Sequence, residues 1–189
     1  MPWMSLDLGE RRLSIHDLLR VRMVSFKPRM EDSGLTLRQC RLRDLRILYS
    51  LFAPEISLEA SGAEFKGFGS SFSFARWLMV AFQAVYLIEV EESDEHRIIG
   101  FAGFYNMKIG RSLWLSLTIF NPEDRRKGYG RKAIELLLNS FGKSGAAETV
   151  YAGVLKTNEP SLRFLGKLGF EICGNDEGRF FLLKNLKRT

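Results

Sequence analysis

The chain has 189 residues, nearly half of them apolar and about a quarter charged, with a formal net charge of +6. That length suits one well-buried core, and the composition excludes disorder, collagen-like repeats and disulfide-rich scaffolds. The basic excess favours an anionic partner or serves solubility alone, without deciding between them.

Residues 1–33 read as an extension that packs on the domain or on a partner. They combine a short helix after Ser14 with an alternating stretch around Val21 and Met23, then break at Pro28 and Gly34. Asp7, Glu10, Arg11 and Arg12 interrupt the leucines, so no secretory signal is expected. Residues 34–189 form the main domain. "LTLRQC" from Leu35 is a short strand, and "RLRDLRILYSLF" sets Leu42, Leu45, Leu48, Tyr49 and Phe52 on one helical face until Pro54 stops it. Residues 54–73, rich in Gly and Ser, suit a long loop of the lid or binding kind. A short helix around Phe74 to Ala81 follows.

Three strand-like runs come next, "AVYLIEVE", "RIIGFAGFYNM" and "RSLWLSLTIF", with an acidic turn "ESDEH" between the first two. Their spacing suits an antiparallel meander. Tyr129, Ala133, Ile134, Leu137, Leu138 and Phe141 then recur at helical spacing, with Gly142 as a stop. "TVYAGVLK" is a strand. "TNEPSLRFLGKLGF" is a helix capped at Thr157 or Asn158, with Pro160 in its first turn and Gly169 at its end. Two closing strands, "GFEIC" and "GRFFLLK", flank the turn "GNDEG".

The most apolar stretch, "WLMVAFQAVYLI" at 77–88, falls well short of the ~20 residues that cross a bilayer. A soluble, cytoplasmic protein with no membrane partner is expected. Cys40 and Cys173 are far apart and without CxxC spacing, which predicts reduced, buried thiols. His16 and His96 lie near neither cysteine and in no HExxH frame, so no metal site is expected.

The stretch that points to chemistry is "NPEDRRKGYGRKAIELLLNSFG", residues 121–142. A helix start exposes free N–H groups and the positive end of the dipole. Gly128 and Gly130 remove Cβ atoms where the chain turns and a ligand approaches the backbone, and Arg125, Arg126, Lys127 and Arg131 surround the same opening. A diphosphate answers all three features; the plain alternative is a glycine loop with a solvated basic face. "GYGRKA" also matches a dinucleotide fingerprint, but "NPEDRRK" separates it from its strand. "GKS" at 142–144 fails as a phosphate loop because the first glycine of that pattern falls on Leu137.

Arg125, Gly128 and Gly130, preceded by a strand and Asn-Pro at 121 and 122, resemble the RxxGxG signature of the GNAT superfamily of acyl-CoA-dependent N-acetyltransferases. Asn158, Ser161 and "KLGF" at 167–170 resemble that family's second landmark. The likeness covers about residues 35–189. It implies an α+β fold: a mixed, mostly antiparallel central sheet of about seven strands flanked by helices, with two central strands, "SLWLSLTIF" and "TVYAGVLK", splayed apart. It implies acetyl-CoA as co-substrate. The pantetheine arm would lie against main-chain groups of Thr118, Ile119 and Phe120. Arg126, Lys127, Gly128, Tyr129, Gly130 and Arg131 would enclose the pyrophosphate, and Asn158 and Ser161 would sit near the thioester.

Two departures bear on the reaction. Many members carry a glutamate on the strand before the glycine turn, whereas here Leu113 to Thr118 hold no ionisable base; the usual tyrosine on the second helix is Leu165. Serine at 161 with leucine at 165 is similar to the ribosomal-protein N-terminal acetyltransferase branch and makes Ser161 the candidate catalytic residue, protonating the departing thiolate directly or through water. Its alternative role is to tie down backbone in the first helical turn. At pH 7 a lysine amine costs roughly 4.6 kcal/mol to deprotonate and an α-amine only about 1 to 1.4 kcal/mol. A site without a strong base therefore suits a peptide N-terminus or an amino sugar, unless Glu55, Glu59 or Glu64 of the long loop takes the proton through water.

The expected function is acetyl transfer from acetyl-CoA to a primary amine, with homodimerisation open. An acyl-CoA-binding sensor or scaffold with reduced catalysis is the second reading. Nucleic-acid binding is the third and is not expected, because the charges gather at one helix start and no aromatic RNA-binding strands are present.

Overall fold

The computed structural model describes residues 27–51, 82–92, 95–108 and 110–186. The expected helix after Ser14, the loop at 54–73 with its three glutamates, and the helix at 74–81 lie outside the described residues. In chain order the elements are β1 (Arg29–Asp32), β2 (Leu35–Gln39), a 3-10 turn (Leu42–Asp44) leading into α1 (Leu45–Leu51), β3 (Phe82–Glu92), β4 (Glu95–Lys108) and β5 (Arg111–Ile119). A second 3-10 turn (Pro122–Asp124) leads to α2 (Tyr129–Lys143), then β6 (Ala147–Leu155), α3 (Glu159–Lys167), β7 (Glu171–Asn175) and β8 (Arg179–Asn185).

The described strands form one mixed sheet of eight, one more than the seven expected, in the order β1-β2-β3-β4-β5-β6-β8-β7. The additional strand is β1, at positions counted with the extension in the sequence. It pairs with β2 from Arg29↔Arg38 to Asp32↔Leu35. Ser33 and Gly34 both have positive φ, the conformation a two-residue hairpin turn needs to match the twist of its strands. All described pairs are antiparallel except β5 with β6, which α2 joins as a crossover.

Alternation along the strands divides the core in two. On one face Tyr86, Ile88, Val90, Ala102, Phe104, Leu113 and Leu115 meet the apolar stripe of α2, and Leu165 of α3 joins them. Ala133, Ile134, Leu137, Leu138 and Phe141 of α2 are all buried, as their spacing predicts. On the other face Leu48 of α1 packs with Leu87, Phe101 and Phe120. Leu42 is 75% exposed and does not share that face, because it belongs to the 3-10 turn that precedes α1.

Between these elements Asp44 and Glu89 receive the Arg38 guanidinium, at 2.8 and 2.9 Å, and the Arg41 N–H donates to Asp44 at 2.7 Å. This ion cluster fixes the entry of α1 to strands β2 and β3. α2 continues one residue past Gly142, to Lys143, and Gly145 takes the left-handed conformation beyond it. The two thiols are free, but they are not both buried: Cys173 is exposed on the edge strand β7, and Cys40 is half-buried. Burial, with the Asp44 charge adding to it, pushes the Cys40 thiol up to about 11. No helix among the described residues is long and apolar enough to cross a membrane.

Candidate functional site

β5 and β6 pair only from Arg111↔Ala147 to Trp114↔Tyr151, with a register shift between Arg111 and Ser112. Beyond that point β5 continues to Ile119 on its β4 partner, and β6 continues to Leu155 on its β8 partner. The sheet therefore opens between its two parallel strands. Because both run the same way, the helix that follows each one starts at the open end, α2 just after β5 and α3 just after β6. Two positive dipole ends thus flank one cleft at the carboxyl ends of the strands.

The main chain of β5 alternates its direction. Phe120 N–H donates to Ile99 O of β4 at 2.9 Å, so Thr118 and Phe120 turn their backbone groups to β4 while Leu117 and Ile119 turn theirs to the cleft. Of Thr118, Ile119 and Phe120, only Ile119 turns its backbone to the cleft. Gly100, directly opposite Ile119, is required by contact: a Cβ there would lie 2.2 Å from Thr118 O.

The glycine turn follows. Asn121 caps the second 3-10 turn, accepting from Glu123 N–H at 3.0 Å. Arg126 has φ 63 and Gly128 φ 87, the left-handed conformation that disfavours side chains. The two glycines have different roles. Gly128 is there for its φ, with nothing within 4 Å of the place a Cβ would occupy. At Gly130 a Cβ would come 3.2 Å from Leu117 Cδ2 and 3.6 Å from Phe164 Cζ, so its absence lets the first turn of α2 wedge between β5 and α3. Tyr129 is half-buried against the core.

The cations are less available than their number suggests. Arg125 donates to the carbonyls of Ile119 at 3.3 Å and Phe120 at 3.1 Å. Lys127 Nζ lies 3.6 Å from Asp124, and Arg131 pairs with Glu135 at 2.8 Å. Arg126 is exposed and makes no side-chain hydrogen bond or ion pair among the described residues. Asp124, which no local pattern singles out, is 2% exposed and receives both terminal nitrogens of Arg97, at 2.6 and 2.9 Å. Hydrogen bonds from Arg97 hold its carboxyl below the usual range despite burial, with Lys127 assisting.

Asn158, rather than Thr157, caps α3: its Oδ1 accepts from Ser161 N–H at 3.2 Å. The cap uses the asparagine side chain and the serine backbone, so the half-buried Ser161 hydroxyl keeps no hydrogen bond among the described residues. Leu165 is buried in the main core, 6% exposed. At the closed end of the cleft, on the sheet face away from α2, Trp114 stacks on Tyr151 at 5.4 Å and meets Tyr105 and Phe181 at 6.0 and 5.9 Å. Burial, partly offset by the Arg179 charge, pushes the Tyr105 phenol up to about 12.

A model of the Acetyltransferase (GNAT) domain family matches residues 34–171. Over 61 residues the chain is 39% identical to the N-acetyltransferase 9-like protein of Schizosaccharomyces pombe, a match that spans 30% of this chain and 28% of that protein. Its fold is similar to that of ribosomal-protein-S5-alanine acetyltransferase from Vibrio fischeri, with a TM-score of 0.68 and 18% identity over 85% of this chain and 97% of that one. Spermidine N-acetyltransferase from Vibrio cholerae, solved in complex with CoA and spermine, shares the fold with a TM-score of 0.66 and 20% identity over 82% of this chain and 97% of that one.

Proposed function

The chain belongs to the GNAT acetyltransferase family, and from that premise we propose that it moves an acetyl group from acetyl-CoA to a primary amine, a peptide amino terminus or an amino sugar. The observation that carries this reading is the parting of β5 and β6 after Trp114↔Tyr151, with the starts of α2 and α3 at the same open end. An extended arm fits between the strands, and a diphosphate fits against the N–H groups of residues 126–130, where the space around Gly128 is clear.

In the reaction the amine nitrogen attacks the thioester carbonyl carbon, the C–S bond breaks, and the product is an amide and a thiol. A single main-chain N–H turned to the cleft, that of Leu117 or of Ile119, suits the oxyanion that forms on the way. Ser161, its hydroxyl uncommitted among the described residues, is the proposed relay: it passes a proton to the departing sulfur as it takes up, directly or through water, the one the amine nitrogen loses, so the hydroxyl is restored. Among the described residues β5 presents no ionisable side chain to the cleft between Leu113 and Ile119, which supports an acceptor that loses its proton easily, such as an α-amine. The serine and leucine at 161 and 165 support the ribosomal-protein N-terminal acetyltransferase branch within the family.

The test is calorimetric titration with CoA and acetyl-CoA, followed by thiol release from acetyl-CoA across a panel of peptides, amino sugars, lysine and polyamines. Binding with release fastest for α-amines or amino sugars supports the proposal. Binding without release for any amine supports the sensor reading instead, and no heat with either nucleotide defeats both.

A further inference from the structure

Given a diphosphate at the start of α2, as proposed above, its hold depends on main-chain amides whose directions are set by the loop itself. That loop holds an uncommon conformation: Arg126, which carries a Cβ, sits at φ 63 between Arg125 and the left-handed Gly128. Such residues persist where the surroundings over-determine them, and they gather at ligand sites. Two restraints act here. Arg125 ties the loop to the carbonyls of Ile119, the last residue of β5, and of Phe120 just after it, and the buried Asp124 that precedes Arg125 is gripped by both arms of Arg97, which stands on β4 beside β5. Asp124 also holds Lys127, on the far side of Arg126. The carboxylate thereby ties the segment before the strained residue to the neighbouring strand, with the half-exposed Lys127 ammonium 3.6 Å away on its other flank.

We propose that Asp124, through its bidentate pair with Arg97, is a positioning residue that keeps loop 125–128 shaped for the coenzyme's diphosphate without touching it. The ion pair acts as a unit, since either partner alone leaves the loop unanchored from β4.

The test titrates CoA into the folded full-length protein and into the Asp124→Asn, Arg97→Gln and doubly substituted variants, well below their unfolding temperatures. Each single substitution is expected to raise Kd on the order of tenfold, and the double to stay within about twofold of the weaker single variant. Asp44→Asn, which weakens the ion cluster at the entry of α1, serves as a control that lowers stability but leaves Kd unchanged. If Asp124→Asn fails to fold, Arg97→Gln decides alone, because its side chain is 42% exposed and its loss leaves no large void. An unchanged Kd in the single variants, or losses that simply add, overturns the proposal. Absence of CoA binding by the unsubstituted protein would instead defeat the acetyltransferase reading.

Discussion

Trp114 and Tyr151 are the last residues at which β5 and β6 lie in register, and their rings stack with centroids 5.4 Å apart. With Tyr105 on β4 and Phe181 on β8 they tie four strands together directly below the point where two of them part. Trp114→Ala removes all three ring contacts and is expected to cost about 3 kcal/mol, the low end for a large aromatic because the ring is half-buried. Trp114→Phe should retain most of that stability. Denaturant unfolding of the two variants measures the difference.

Gly100 predicts a sharper effect from a smaller change. A methyl group there meets the Thr118 carbonyl oxygen at 2.2 Å and Ile119 Cα at 3.2 Å, and backbone cannot rotate away as a side chain can. Gly100→Ala is expected to lose about 1–3 kcal/mol. It should also weaken CoA binding, because the displaced segment is the end of β5 that borders the cleft. Unfolding and titration on the same sample check both.

At Arg126 charge and backbone can be separated. Glycine relieves the cost of φ 63, on the order of 1 kcal/mol, while alanine retains it. Arg126→Gly should therefore melt higher than Arg126→Ala. Both should bind CoA more weakly than the unsubstituted protein at low salt, with the gap closing as salt rises.

The Arg38, Asp44 and Glu89 cluster predicts the acid limb of stability. Burial pushes the Asp44 carboxyl up, but the hydrogen bonds from Arg38 and the Arg41 N–H together outweigh it and hold the group below its ordinary value. With a folded pKa below the unfolded value of about 3.9, Asp44 contributes stability that is complete above that pH and lost as pH falls through the folded value. Asp124 follows the same sign through Arg97. Stability measured against pH should fall below about pH 4, and Asp44→Asn should flatten that fall.

Asn158 and Ser161 separate a structural role from a chemical one. Asn158→Ala removes the side-chain cap of α3 and is expected to cost about 1 kcal/mol, whereas Asn158→Asp keeps the acceptor and most of the stability. Ser161→Ala leaves the cap intact, because the serine contributes its N–H. It should melt within about 0.5 kcal/mol of the parent yet lower kcat roughly 100-fold if its hydroxyl serves the thiolate. Steady-state kinetics beside thermal unfolding reads both.

Much of this architecture is written in short-range pattern. The stripe from Ala133 to Phe141 names the buried face of α2, Asn158 with Pro160 marks the start of α3, and Gly169 at φ 79 ends it. Those signals act over a few residues, within one turn of helix or one hairpin, so a linear reading reaches them. The glycine turn was legible for the same reason, since its φ values and the helix start after it are local properties.

Other features depend on neighbours far apart in the chain. Nothing local marks Asp124 until β4 brings Arg97 to it, and Gly100 reads as one more strand glycine until the register sets it against Ile119. The exposure of Cys173, and the turning of Ile119 rather than Thr118 toward the cleft, follow from which strand lies beside which. Helix and turn preferences come from a residue's immediate neighbours, but the depth of a side chain and the partner of a charge come from sheet order, which the chain acquires only when distant strands meet.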